Sequence, residues 1–172
     1  MRKLSFLISL LLLVGLQACQ HLEYKHELSA LDIQERIAKK FPIEKDLFLA
    51  QFMLSNPQVA IANNKIQATI AIDGNYLGDR VIGTLKIDGE PYYKKAEGKI
   101  YVRNVQLLEL IINHKQVNDK AIANTIEKVI RQNLETIPVY RLNEKDFKKS
   151  LVKMMLKSIH TENDKLILTF GA

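Results

Sequence analysis

Between Leu47 and Ile112 lie runs in which apolar residues recur with a period of two, and this period constrains the fold more than any other feature of the chain. Ile66, Ala68, Ile70 and Ile72 alternate with Gln67, Thr69, Ala71 and Asp73; Val81, Gly83, Leu85 and Ile87 alternate with Ile82, Thr84, Lys86 and Asp88. Successive side chains of a strand point to opposite faces, so each run has one apolar and one solvated face. Asn63-Asn64 and the stretch Lys94 to Gly98 separate the runs. Asn and Gly accept positive φ, which tight turns between strands demand. Asp73 to Asp79, with two glycines, reads as a longer connection. Strands joined by short turns pair antiparallel. Two runs, Leu47 to Leu54 and Val105 to Ile112, place large apolar groups on both faces. A sheet with one wet face should alternate cleanly, so these runs predict either a covering layer or a groove for an apolar guest.

Helical spacing brackets the strand region. Ser29 and Asp32 stand at capping-box positions, with Asp32 in place of the usual Glu or Gln, ahead of Ile33, Ile37 and Phe41; Pro42 closes the stripe. Asn118 can cap a second helix carrying Ile122, Ile126, Val129, Ile130, Leu134 and Ile137, a ridge of about five turns that Pro138 ends. Val139 to Leu142 is a short extended piece. A third helix is expected after Asn143, with Phe147, Leu151, Met154 and Met155 on its apolar side, and a hairpin about Asn163-Asp164. The expected fold is α+β: a strongly curved antiparallel meander packed around the long helix, with two shorter helices and a C-terminal hairpin.

The N-terminus carries a different message. Arg2 and Lys3 precede an almost unbroken apolar run, Leu4 to Leu16. A stable bilayer-crossing helix needs about 20 apolar residues, so the run reads as an export signal. Leu16-Gln17-Ala18-Cys19 resembles the lipobox of bacterial lipoproteins, with Gln17 a less usual occupant of the variable position. The resemblance implies cleavage before Cys19 and acylation of its thiol and its new amine. It divides the chain into a signal peptide over 1–18, a lipidated tether over 19–25 and a single domain over 26–172. Cys19 is the only cysteine, so the chain can form no internal disulfide and no thiolate metal site. Two or more acyl chains anchor a protein where one gives only marginal binding. In such lipoproteins an Asp after the cysteine favours the inner membrane. Gln20 stands there, which implies the outer membrane, facing the periplasm.

No catalytic constellation emerges. Without Arg2 and Lys3, 23 basic residues face 19 acidic ones, scattered in short pairs, and no basic stripe interleaved with aromatics points to nucleic acid. His21, His26, His114 and His160 lack metal-ligand spacing apart from Glu23 with His26, beside the tether. Gly74 and Gly78 lead into a strand, not into the helix N-terminus that a phosphate loop requires. Asp73, Asp79, Asp88 and Glu90 fall near predicted turns, where acidic residues are common for ordinary reasons. The expectation is a non-enzymatic chain with no cofactor, no metal and no nucleic-acid partner.

The order of elements, together with Ile137-Pro138-Val139-Tyr140-Arg141-Leu142, resembles the YceB-like outer-membrane lipoproteins, a family without an established function. The resemblance implies a fold similar to half of a tubular lipid-binding domain, with an apolar interior. The functional expectation is a membrane-anchored binder of a fatty acid or a phospholipid acyl chain. Its groove would lie between sheet and helix and be lined by Phe48, Phe52, Ile70, Leu85, Ile126, Ile130 and Leu134. The alternative is an envelope scaffold with a filled core, binding a protein or cell-wall partner through its surface.

Overall fold

The computed structural model describes residues 23–47, 50–76, 78–118, 120–142 and 156–171. The chain enters through strand β1 (Glu23–Ser29) and turns into helix α1 (Ala30–Ala38). It then runs through β2 (Ile43–Leu47), β3 (Ala50–Ala62), β4 (Lys65–Tyr76), β5 (Asp79–Lys94), β6 (Lys99–Ile112) and β7 (Lys115–Gln116). Helix α2 (Lys120–Leu134) follows, then β8 (Tyr140–Arg141) and the hairpin of β9 (Leu156–Glu162) and β10 (Lys165–Gly171). β2 to β7 form one antiparallel sheet in chain order, with β8 paired to β6; β1, β10 and β9 form a second sheet in that spatial order.

The class differs from the sequence expectation. With 65% strand and 19% helix among the described residues, the structure is mostly antiparallel β-sheet. The described residues hold two short helices, of 9 and 15 residues, and no long helix for a sheet to wrap. The apolar ridge read as five turns stops at Leu134. Pro138 disfavours helical backbone at the residue before it, and the last turn tightens: Thr136 and Ile137 donate to the carbonyls of Asn133 and Leu134, three residues back. The stretch read as tether contributes Glu23, Tyr24 and Lys25 to β1, which pairs with β10 along its length. The connection expected at Asp73 to Asp79 is also shorter, since pairing continues to Tyr76 opposite Asp79. The leader, Cys19, Phe48 and the helix expected after Asn143 lie outside the described residues.

A bulge explains the run from Val105 to Ile112, apolar on both faces. On β6, Leu107 pairs with Ile87 and Glu109 with Lys86, so Leu108 is an extra residue; it is 46% exposed, while Val105 and Leu110 are buried. A bulge inserts one unpaired residue and bends the strand. A second shift falls between Asp88 and Glu90, opposite Asn104 at φ 53°, and a third on β3 at Asn56, φ 50°. Leu108 faces solvent, so no covering layer lies over it.

Two apolar clusters result. In one, Ile33 and Ile37 of α1 and Leu28, Leu166, Leu168 and Phe170 of the small sheet meet Ile61, Ile66 and Ile100 of the large sheet. In the other, Leu54, Ile70, Ile72, Leu85 and Leu110 of the large sheet meet Ile130 of α2, which is 1% exposed. α1 starts on a complete capping box: Ser29 Oγ accepts from the Asp32 amide at 3.1 Å, and Asp32 Oδ2 accepts from the Ser29 amide at 2.8 Å. Asn64 joins the sheets at the β3–β4 turn. Its amide donates to Thr161 Oγ1, and its Oδ1 accepts from the Thr161 amide, each at 2.8 Å.

Strand approach is closest at Gly83, where an added Cβ would lie 1.9 Å from the Ile111 carbonyl oxygen; at Gly171 it would meet only the end of the Lys157 side chain. Gly83→Ala is expected to cost at least about 2 kcal/mol in urea unfolding, and Gly171→Ala under about 0.5 kcal/mol. Equal costs for the two would contradict the packing described. At the β5–β6 connection, Lys94, the Tyr101 hydroxyl and Lys99 hold the Glu97 carboxyl at about 2, well below its ordinary value. A lowered carboxylate pKa stabilises the fold above the unfolded-state value and loses that contribution as pH falls through the folded one. Glu97→Gln is therefore expected to flatten the acid dependence of stability between about pH 4.5 and pH 2, and an NMR titration of the Glu97 side chain should find its midpoint near the lower end.

Candidate functional site

Between the two clusters the packing leaves an apolar pocket. The sheet supplies its floor: Ile66, Ala68 and Ile70 from β4, Ile87 from β5, Val102 and Val105 from β6. The β4 residues are alternate positions of one strand, so the period-two pattern is what puts them together. Ile37 and Phe41 close one side from the end of α1, and Leu134, Ile137 and Val139 close the other from the end of α2 and the segment after it. That segment is tied to the sheet: the Val139 amide donates to the Ile100 carbonyl at 2.9 Å, and the Val105 amide donates to Glu135 Oε1 at 3.1 Å.

The pocket encloses about 480 Å³ with its solvent-open mouth included, and its cavity volume is about 40 Å³. One water needs about 10–15 Å³ on the second measure. Ligand sites of drug size run to about 300–1,000 Å³. The pocket is thus a narrow slot, and an occupant must be thin and must part the walls. Such walls offer dispersion and desolvation, about 0.8 kcal/mol for each methylene buried.

One wall residue is charged. Asp88 is 6% exposed, in the middle of β5 and not at a turn, and Ile87, Asp88 and Gly89 are buried in succession at the bulge. Lys65 Nζ lies 2.7 Å from Asp88 Oδ2. Oδ1 has no hydrogen-bond partner and is sealed from solvent. The carboxylates Asp73 and Glu90 take part in exposed pairs, with Arg80 at 3.2 Å and Arg103 at 3.3 Å.

Of the residues expected to line a groove, the structure places Ile70 and Leu134 in the pocket. Leu85 and Ile130 are buried in the second cluster, and Phe52 and Ile126 are half-buried against it; none of these four reaches the pocket. The expectation centred the space on the middle of the helix, where Ile130 is packed shut. The space lies instead beyond its end, where Pro138 turns Ile137 and Val139 away from the helical stripe. Ala68 was legible as an inward strand position, and its small side chain leaves room. Asp88 had no signal in the sequence, because a bulge changes which neighbours a side chain meets without changing the residue pattern.

His26 does structural work. His26 Nε2 lies 3.0 Å from the Tyr140 hydroxyl, and the Arg36 guanidinium sits 4.3 Å above the Tyr140 ring, joining β1, α1 and β8. His160 lies 3.9 Å from Glu162. Among the described residues no three His, Cys, Asp or Glu side chains converge as metal ligands, and no helix is long and apolar enough to cross a membrane.

Ala68→Val tests whether the slot is open. With free space beside Ala68, added methyl groups are expected to leave stability within about 0.5 kcal/mol or raise it. In a jammed core they would cost about 1–3 kcal/mol. Ile70→Ala, at a buried neighbour, should cost about 2–5 kcal/mol. Urea unfolding of the two variants separates these outcomes.

The family described as "Protein of unknown function (DUF1439)" matches residues 28–165. No curated protein matches the chain.

Proposed function

We propose that this chain, which belongs to the DUF1439 family, is a YceB-like lipoprotein of the bacterial envelope that binds an aliphatic chain without catalysis. It is anchored through acylated Cys19 to the outer membrane and faces the periplasm. The supporting observation is the pocket: eleven of its twelve lining residues are apolar, drawn from both helix ends and three adjacent strands. Apart from Asp88, a wall of that composition gives a sugar or a peptide nothing to hydrogen-bond, and it gives a methylene chain contact along its length. The slot's narrowness fits a single unbranched chain, as in a fatty acid or the acyl part of a lipid, better than a ring, and that narrowness itself sets no head group. Binding would consist of threading the chain between the ends of α1 and α2, over Ala68 and Ile70.

Two measurements test this reading. The full chain should enhance the fluorescence of methyl parinarate, a linear polyene, with one site per protein, and Ala68→Phe should abolish that site while the fold persists by circular dichroism. Labelled palmitate should be incorporated into the chain in cells and lost with Cys19→Ala. Polyene fluorescence unchanged by the wild-type protein would contradict the binding reading, and palmitate retained in Cys19→Ala would contradict the anchor.

A second reading, an envelope scaffold that binds a protein or cell-wall partner through its surface, is favoured by the small cavity volume of about 40 Å³. It requires the pocket to stay closed to the polyene at every concentration.

A further inference from the structure

The pocket walls hold one feature that simple burial of methylenes does not use. Asp88 Oδ1 is, among the described residues, the only buried side-chain polar atom with no hydrogen-bond partner. Leaving such an acceptor unmet costs about 1–3 kcal/mol, more when the group is charged. Native proteins rarely keep one without a reason. Lys65, whose side chain retains 36% exposure, engages Oδ2 at 2.7 Å and leaves Oδ1. The other lining side chains are all aliphatic or aromatic, so none of them can donate.

Resting on the reading of the pocket given above, we propose that its ligand is an aliphatic chain bearing a neutral hydrogen-bond donor, a hydroxyl or an amide N–H, whose hydrogen Asp88 Oδ1 accepts. A charged carboxylate head would bring a second anion beside Asp88 in an apolar slot, and like charges there repel. An ester head has no hydrogen to give and would leave Oδ1 unmet. Because solvent does not reach Oδ1, the donor arrives with an occupant that has parted the walls. The chain supplies the affinity and the donor selects the head group. A net hydrogen bond to a charged acceptor is worth about 1.5–3 kcal/mol, which corresponds to a preference of about ten-fold or more.

The test uses the full chain held in amphipol, loaded with methyl parinarate, with the Ala68→Phe variant measured in parallel to subtract partition into the amphipol. Decanol, methyl decanoate and decanoate, equal in chain length, are compared as displacing agents at neutral pH. Decanol is expected to displace the polyene at concentrations at least about ten-fold lower than either of the others. In Asp88→Asn, whose amide can donate to an ester or carboxylate oxygen, the three should fall within about three-fold of one another. Equal displacement by all three from the wild-type protein, or stronger displacement by decanoate, would overturn the donor assignment while leaving an apolar site intact. No displacement by any of them would remove the apolar site, and the donor assignment with it. The wild-type series decides between these results even if the variant fails to fold.

Discussion

The structure depends on one requirement: the apolar face of a long antiparallel sheet must be removed from water. Strands β3 to β6 carry Leu54, Ile61, Ile66, Ala68, Ile70, Ile72, Leu85, Ile87, Val105 and Leu110 into the interior. No single 15-residue helix covers so much surface. The sheet meets the requirement in part by bending at its bulges, and in part by receiving different covers at its two ends. α1 and the small sheet cover one end, and α2 covers the other. The pocket lies where the two covers meet, with Ile37 and Phe41 on one side and Leu134, Ile137 and Val139 on the other. A seam between two independently packed clusters is a reasonable place for a guest, because widening it need not unpack either core.

Local structure was largely legible. The alternation over Ile66 to Ile72, the Asn63-Asn64 turn, the Ser29–Asp32 capping box and the turn at Asn163-Asp164 are each decided by neighbours in sequence, and sequence patterns report neighbours well. Architecture was less so. The stripe from Ile122 to Ile137 was read as one long ridge, but Pro138 acts on the residues before it and the helix ends at Leu134. The pairing of β1 with β10 joins residues 23–29 to residues 165–171, and no periodicity in a short charged stretch announces so distant a partner.

The apolar excess in the sheet left two readings open, a covering layer or a groove, and of the residues expected to line a groove Ile70 and Leu134 line the pocket. Bulges at Leu108 and at Asp88 account for two further departures from the alternating pattern. The first turns an apparent core residue outward, and the second leaves an aspartate in the interior. Both are one-residue shifts in register. Because side chains alternate with period two, one such shift exchanges the faces of every residue beyond it.

The central claim is that the seam between the clusters takes an aliphatic chain. Intermolecular nuclear Overhauser effects between a carbon-labelled decyl chain and the methyl groups of the protein test it most directly. The account predicts contacts from Ile70, Ile87 and Ile137, which line the seam from the sheet and from beyond α2. Contacts confined to Leu31, Ile82 and Leu108, which are exposed on the surface, would contradict it.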